Sequence, residues 1–388
     1  MVVVAATSAM LLILAAARGQ AQTLTVLHNF DLGTDGGAPF AGVTLDQQGR
    51  IYGTTTDGGT RHGVVYRLTH SDGGWTLTTL HIFQGQPDGD DPTSRVLFGP
   101  DGALYGTTNG GGAFNAGTVF SLRPPASACR NVLCPWSETL LYSFTGGADG
   151  GNPFLGDLAF DQAGNIYGTA SAGGANNAGV VFELTRSGSS WTETVLYSFT
   201  GGEDGSSPYA GVTFDAGGNV YGTTANNSVV YELSASQSGW TETTLHNLNN
   251  DDGCGFGGVT IDAHGNLFGL TGGPCGAGIA YELSPSNGSW VFSRLAVLPS
   301  GYEGPWDTPT LDAQRNLYGT LCCAGGSGEV FEMTPTGIGW NFLPLHIFDG
   351  SDGDGPSSGV TFDSSGNMYG TTQQGGSGGW GTVWELTP

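Results

Sequence analysis

One ten-residue phrase recurs along the chain and restricts its fold more than any other feature. It reads DQAGNIYGTA, DAGGNVYGTT and DSSGNMYGTT in three of its copies. Aligned on its aromatic residue, the phrase occurs seven times, at Tyr52, Tyr105, Tyr167, Tyr221, Phe268, Tyr318 and Tyr369. The copies are separated by 53, 62, 54, 47, 50 and 51 residues, and self-similarity at such a period is typical of propellers and solenoids.

Each copy contains four short β-type runs. In the first copy these are GVTLD (42–46), RIYGTT (50–55), GVVYRLT (63–69) and WTLTTLHIF (75–83), here called a, b, c and d. They are rich in Val, Thr and aromatic residues and are bounded by Gly, Asp or Asn. The DxxGN segment between a and b predicts a hairpin turn, because the Asp side chain accepts backbone N–H groups and Gly-Asn tolerates positive φ.

The two ends of the repeat region predict a closed ring. Residues 23–30, TLTVLHNF, match strand d although no a, b or c precedes them, and the chain ends at VWELTP, just after strand c of the seventh copy. The spare strand is expected to complete the last blade, which removes an exposed sheet edge. We therefore predict an all-β fold, a seven-bladed β-propeller of four-stranded antiparallel blades that forms a single domain over residues 22–388.

Strand order also sorts the loops. The a-to-b and c-to-d turns are expected on one face, and the b-to-c loops and d-to-a crossings on the other. This second face, called the long-loop face, receives most of the glycine and acid outside the strands, as in GGADGGNP and GSDGDGP. Ligand sites are expected there, because binding residues often lie on loops that a rigid scaffold holds.

The chain start and the cysteines indicate an exported protein. Residues 1–21 resemble a cleaved signal peptide, and no second apolar run is long enough to span a membrane. We expect a secreted protein, extracellular or periplasmic. Cys129 and Cys134 flank a local insertion, Cys254 and Cys275 lie in two loops of one repeat, and Cys322 and Cys323 are adjacent. All six suit disulfides in an exported chain, although the last two could also be free thiols.

The charge balance narrows the partners. Acidic residues outnumber basic ones 34 to 10, which gives a net charge of −24. Such a surface repels phosphate backbones, so we expect no nucleic-acid partner. Cations, neutral glycans and basic proteins remain open as partners, and we expect a monomer.

The repeat pattern resembles a known family. GVTFDxxGNxYGTT, GVVYELT and WTETxLHxF are similar to the tandem repeat of the GloVer family of exported bacterial proteins, over essentially the whole mature chain. The DxxGNxY core alone resembles NHL and virginiamycin-lyase-like propellers. The resemblance implies a secreted propeller without an assigned activity.

Few residues suggest catalysis. His28, His81, His246 and His346 share one slot of strand d, so we interpret them as structural. His62, His70 and His264 lie outside this slot. Of these, only His62 is expected on the long-loop face, and it is kept with the adjacent Arg61 as a ligand-contact candidate. No GxSxG, HExxH or phosphate-loop motif occurs, and we assign no catalytic residue.

Aromatic residues offer a second set of candidates. Trp306 and Trp380 lie in long-face loops outside the repeat pattern, where an indole could stack on a sugar ring. Just before strand a, a further aromatic set is expected to ring the mouth of the central channel, either as packing or as a ligand surface: Phe40, Phe154, Tyr209 and Phe256.

The crossing loops supply the candidate metal ligands. As carboxylates converging on the channel mouth they could hold Ca²⁺, which prefers several oxygen ligands; dispersed singly they would only cap turns. The crossing acids also include Asp88 and Glu303. The candidate ligands are Asp35, Asp149, Asp204, Asp252, Asp352 and Asp354.

Two functions follow from these features. The first is a secreted binding module whose long-loop face takes a glycan or another extracellular small ligand. The alternative is a propeller enzyme, a lyase or hydrolase, that acts on polysaccharide.

Overall fold

A computed structural model describes residues 22–125, 135–248, 251–272, 278–299, 306, 308–322 and 326–388. These residues form thirty β-strands. No helix among them is long and apolar enough to cross a membrane. The predicted signal peptide, residues 1–21, lies outside the described residues.

The strands follow one another in groups of four. They are β1 (Thr23–Asn29); β2 (Thr44–Leu45), β3 (Ile51–Thr55), β4 (Val64–Ser71) and β5 (Gly74–Ile82) of blade 1; and β7 (Leu97–Phe98), β8 (Leu104–Thr108), β10 (Thr118–Arg123) and β11 (Ser137–Ser143) of blade 2, with β6 (Gly89–Asp90) and β9 (Gly110–Gly111) as a separate pair. Blades 3 and 4 contain β12 (Ala159–Phe160), β13 (Ile166–Ala170), β14 (Val180–Ser187) and β15 (Ser190–Ser198), then β16 (Thr213–Phe214), β17 (Val220–Thr223), β18 (Val229–Ser236) and β19 (Gly239–Asn247). Blades 5 to 7 contain β20 (Val259–Ile261), β21 (Leu267–Leu270), β22 (Ile279–Ser286) and β23 (Ser289–Val297), then β24 (Thr310–Leu311), β25 (Leu317–Leu321), β26 (Glu329–Thr336) and β27 (Gly339–Ile347), then β28 (Thr361–Phe362), β29 (Met368–Thr372) and β30 (Thr382–Thr387).

The seven antiparallel sheets form a ring, and the predicted closure is confirmed. The last sheet has the order β1-β30-β29-β28, so the first described strand of the chain pairs with the last. Its register places Thr23 opposite Thr387 and Asn29 opposite Thr382. Blade 7 is thus built from both ends of the repeat region, and its strand c, β30, pairs with a strand on each side.

The recurring Asp holds the a-to-b hairpin in six blades, and Gly99 fills its position in blade 2. In blade 4, Asp215 Oδ1 accepts the backbone N–H groups of Gly217 and Asn219 at 2.8 and 2.9 Å, and its Oδ2 accepts the hydroxyl of Tyr221 at 3.1 Å. Burial alone would raise the pKa of Asp215, but the hydrogen bonds led by those from Asn219 lower it below its ordinary value. The expectation that this residue serves the turn is confirmed.

The YGT part of the phrase serves packing between strands and between blades. A side chain at Gly53 would collide with the Tyr66 hydroxyl, whose oxygen lies 2.4 Å from the position of an added Cβ. The following threonine donates to a backbone carbonyl of the next blade in five blades: Thr54 to Ser94, Thr169 to Ala210, Thr223 to Gly257, Thr320 to Ser358 and Thr371 to Ala41. The Asp, Tyr, Gly and Thr of the phrase recur among the copies because each makes, or leaves room for, a structural contact.

The innermost strands are shorter than predicted. Strand a of blade 1 covers only Thr44–Leu45 rather than residues 42–46. Near the axis the backbones of neighbouring blades approach closely, and Thr44 Oγ1 donates a 2.6 Å hydrogen bond to the carbonyl of Val96 in the next blade. The inner strand is thus held to the next blade as well as to its own.

Candidate functional site

Crossing loops and b-to-c loops meet on one face, as the strand parity predicted. Each described crossing forms a short antiparallel bridge with the b-to-c loop of the blade that it enters. The bridges are Gly37 with Asp57, Gly89 with Gly111, Gly151 with Ala172, Ser206 with Asn226, Cys254 with Gly272, and Asp354 with Gln374. On the long-loop face, backbone hydrogen bonds therefore connect the crossing of each of these blades to its b-to-c loop.

One residue per blade stands at the central mouth of this face, just before the inner strand. In six blades it lies four positions before the TL or TF pair or its equivalent; in blade 3, which has one extra residue here, Phe154 lies five positions before Ala159. The seven are Phe40, Thr93, Phe154, Tyr209, Phe256, Trp306 and Ser357. Trp306 was expected outside the repeat pattern, and this was wrong: it occupies the slot that Phe40 fills in blade 1. Aligning WDTPTLD with FAGVTLD shows the same register.

The five aromatic members form a continuous arc, here called the aromatic arc. Neighbouring ring centroids are 6.1 Å apart for Phe40 and Phe154, 5.2 Å for Phe154 and Tyr209, 6.0 Å for Tyr209 and Phe256, and 4.8 Å for Phe256 and Trp306. All five side chains are partly exposed. The structure thus brings the four expected aromatic residues together and adds Trp306 to them.

The floor beneath the arc is closed by an arginine. Arg95 of blade 2 donates to Asp157 of blade 3 at 2.5 and 2.9 Å and to Thr361 Oγ1 of blade 7 at 3.2 Å. The cavity bounded by Phe40, Trp306 and Asp157 holds about 10 Å³, roughly the room of one water molecule. The mouth is consequently a shallow aromatic surface and not a deep pocket.

Trp380 lies apart from the arc. It is 40% exposed, and its carbonyl accepts the backbone N–H of Ala38 in the crossing to blade 1 at 2.8 Å. Among the described residues no ring contact joins it to Trp306 or to Phe40. A contact between Trp380 and ligand stays a prediction.

His62 forms a hydrogen-bonded pair on the same face. Its Nδ1 lies 2.8 Å from Asp90 Oδ1, and each side chain is 34% exposed. Arg61 beside it is exposed and has a φ of 77°. In this geometry the Asp90 carboxylate can fix the tautomer and the orientation of the His62 imidazole. Such a pair is one element of acid-base catalysis.

Most of the predicted metal ligands pair with the outer strand that precedes their crossing instead of gathering at the channel mouth. His28 bonds Asp35 at 2.8 Å, Tyr142 bonds Asp149 and Tyr197 bonds Asp204 at 2.9 Å, and His346 bonds Asp352 at 2.7 Å. Asp252 accepts a 2.6 Å bond from Arg294, and the backbone of Asp354 bridges Gln374. Within the described residues no three of these six acids come close enough to share an ion, and Ca²⁺ binding stays a prediction.

The disulfide predictions fall partly outside the described residues, as Cys129, Cys134, Cys275 and Cys323 do. Cys254 and Cys322 are buried, and the described part of the chain has no free cysteine. Pairing of the six cysteines stays a prediction.

One group of potential ligands was missed by the sequence analysis. His81, Asp88 and Glu138 present donor atoms that all lie within 4.8 Å of one another at the joint between blades 1 and 2. Burial, helped by the Asp88 charge, raises the pKa of Glu138 to about 7. A histidine in the strand d slot, followed by a WxE segment in the next blade, is the signal that could have identified the group.

Two solved structures share the fold at low identity. One is a candidate 6-phosphogluconolactonase of Bacteroides uniformis, with a TM-score of 0.52, 14% identity, and coverage of 79% of this chain and 85% of the other. The second is an ulvan lyase, described as a new family of polysaccharide lyase, with a TM-score of 0.53, 12% identity, and coverage of 90% and 93%. At this identity the likeness shows the fold alone.

Sequence comparison places the chain more firmly. No curated protein matches it. The Gloeobacter/Verrucomicrobia repeat matches residues 14–138 and 132–322, which together exceed half of the chain. With seven four-stranded blades built on that repeat, the protein belongs to the Gloeobacter/Verrucomicrobia repeat family.

Proposed function

We propose that the protein is a secreted binding module that takes a carbohydrate on the aromatic arc. The observation that carries this proposal is the run of five partly exposed rings, from Phe40 to Trp306, contributed by five different blades. Nothing in the hairpin or in the joints between blades requires an aromatic here, since Thr93 and Ser357 fill the same slot in two blades. Aromatic faces suit the apolar faces of sugar rings.

The shape of the mouth favours binding along a chain over enclosure of a small molecule. The cavity below the rings has room for roughly one water molecule. An extended glycan can instead lie over successive rings and use several weak contacts at once. The net charge of −24 favours neutral over anionic polysaccharides.

Fluorescence and calorimetric titrations with a panel of neutral and uronic-acid polysaccharides test the proposal. Trp306→Ala and Tyr209→Ala are expected to weaken binding about tenfold each, equivalent to about 1.4 kcal/mol per lost stacking contact. Phe114→Ala is the matched control, because Phe114 is 61% exposed in a b-to-c loop away from the arc. Absence of binding to the whole panel, or an equal loss in the Phe114 variant, would contradict the proposal.

The pair of His62 and Asp90 favours a second candidate, an enzyme that cleaves polysaccharide by acid-base chemistry. Its 2.8 Å contact would orient the imidazole as a general base. Incubation with the same panel, followed by assays for new reducing ends and for unsaturated products, tests this function. Activity that survives both His62→Ala and Asp90→Asn would exclude this site.

A further inference from the structure

The joint between blades 1 and 2 gathers three side chains of the types that bind metals. His81 lies near the end of β5, Asp88 lies in the crossing that follows, and Glu138 projects from β11. Their donor atoms lie within 4.8 Å of one another, and no other such group of three occurs among the described residues. We propose that His81, Asp88 and Glu138 form a binding site for a divalent transition-metal ion of the Zn²⁺ type.

The repeat itself shows that this combination is not required by the fold. The next two joints carry the same carboxylates with tyrosine in place of histidine, as Tyr142, Asp149 and Glu193 and as Tyr197, Asp204 and Glu242. Where histidine recurs, the facing position of the next strand d is apolar: Leu77 opposite His28, Phe292 opposite His246 and Leu24 opposite His346. Among the described residues, only this joint brings an imidazole and two carboxylates within 4.8 Å of one another.

The hydrogen bond between His81 and Asp88 is long. His81 Nε2 lies 3.3 Å from Asp88 Oδ2, whereas the corresponding distances are 2.8 Å for His28 and Asp35, 2.7 Å for His346 and Asp352, and 3.6 Å for His246 and Asp252. A separation near 3.3 Å is roughly the edge of a tetrahedron whose metal–ligand bonds are about 2.0–2.1 Å. The imidazole and carboxylate are thus set apart by about the distance at which both can reach one ion.

Two oxygens at the joint lack hydrogen-bond partners. Asp88 Oδ1 and Glu138 Oε1 are buried, and no other residue donates a hydrogen bond to either of them. Buried carboxylate oxygens are costly unless they are paired, and two carboxylates this close repel each other when both are ionised. A bound cation would satisfy the oxygens and offset the repulsion. The backbone N–H of Gln84 already donates to Asp88 Oδ2 at 3.0 Å and would hold that ligand in place.

The donor set selects the class of ion. One imidazole nitrogen and two carboxylates suit Zn²⁺, and three protein ligands leave a coordination position open to water. Ca²⁺ prefers six to eight oxygen ligands, which this joint does not supply. The site is therefore distinct from the calcium sites predicted at the other crossings.

Calorimetric titration with ZnCl₂ of tag-free, chelator-treated mature protein tests the proposal. The wild type is expected to bind one equivalent. His81→Tyr and Glu138→Leu copy residues found at the same slots of other blades, so they are compatible with the fold, and each is expected to weaken binding at least about tenfold. Glu193→Leu makes the same change at the next joint and is expected to bind Zn²⁺ like the wild type.

A second readout separates ligation from general damage. Zn²⁺ should raise the Tm of the wild type and of Glu193→Leu but not that of His81→Tyr. Should Glu138→Leu fail to fold, Glu138→Gln keeps the side-chain size, removes the anionic oxygen and replaces it in the test. The proposal is overturned by a wild type that takes up Ca²⁺ but no Zn²⁺, by undiminished binding in the His81 and Glu138 variants, or by an equal loss in Glu193→Leu.

Discussion

The ring of Phe30 meets the ring of Tyr66 edge to face, with centroids 5.2 Å apart. Phe30 follows β1 and completes blade 7, while Tyr66 belongs to strand c of blade 1, so this contact lies at the joint that closes the ring. Interior joints use the same pair of positions: Phe83 with Phe120, Phe144 with Phe182, and Phe199 with Tyr231, at 5.1 to 5.2 Å. The closing joint is therefore packed like these three interior joints.

Because the Phe30–Tyr66 contact resembles those of interior joints, a substitution at Phe30 should destabilise the protein as much as one at an interior joint. Phe30→Ala is expected to lower the free energy of unfolding by about 3–5 kcal/mol, because Phe30 is fully buried. Phe144→Ala, at an interior joint, should cost a similar amount, and the exposed Phe114→Ala should cost little. Urea unfolding of the three variants checks this. A Phe30 variant as stable as the Phe114 variant would mean that the ends of the ring are not held by this contact.

The pH dependence of stability should report the buried Glu193. Burial, followed by the charge of Asp149, raises its pKa from an ordinary value near 4.5 to about 7, and its Oε1 has no hydrogen-bond partner. The folded state then holds this proton more tightly than the unfolded state. The contribution of Glu193 to stability is fully present below about pH 4.5 and is lost as the pH rises to about 7.

Glu193→Gln mimics the protonated carboxyl group and removes that loss. The variant should match the wild type near pH 4.5 and exceed its stability increasingly up to pH 7, in chemical unfolding at a series of pH values. Glu203→Gln removes one negative charge from an exposed crossing residue and is the control for the change in net charge. A flat difference for Glu193→Gln would show that its carboxyl group titrates normally.

A pair of glycines tests the hairpin turn. Gly218 has a φ of 83° in the DxxGN turn of blade 4, and an added Cβ would meet no atom within 4 Å. Gly218→Ala should therefore cost about 1–2 kcal/mol from the left-handed backbone alone. Gly337 has the same open surroundings without a positive φ, so Gly337→Ala should be neutral or slightly stabilising. Thermal unfolding that ranks the two variants equally would contradict this explanation.

Trp380 offers a test of where ligand lies on the long-loop face. In the polysaccharide titrations, Trp380→Ala is expected to weaken binding less than Trp306→Ala, because no described aromatic ring neighbours Trp380 to extend the stacking surface. Loss of binding in the Trp380 variant with full binding in the Trp306 variant would move the site from the channel mouth to the loop between β29 and β30.

Local chemistry made much of the fold predictable. The Asp of DxxGN, the glycine before the threonine and the alternation in strand d each act within one blade or on a backbone that every blade presents. Period and parity then placed the loops on one face, and the spare segment of residues 23–30 indicated closure. The alignment of the repeats also gives Trp306 the position of Phe40. This correspondence was overlooked because the surrounding residues of blade 6 differ from those of the other blades.

By itself, the sequence determined the number of blades, the turn that joins their inner strands and the strand that closes the ring, because those features depend on residues close along the chain or on repetition. The tertiary structure alone decided which side chains of neighbouring blades face each other. It paired most of the crossing acids with the outer strand that precedes each crossing. It also set five aromatic rings in an arc and brought Glu138 close to His81 and Asp88. A repeat assigns each residue a position within its blade, but the twist and packing of adjacent sheets decide which residues of neighbouring blades are in contact.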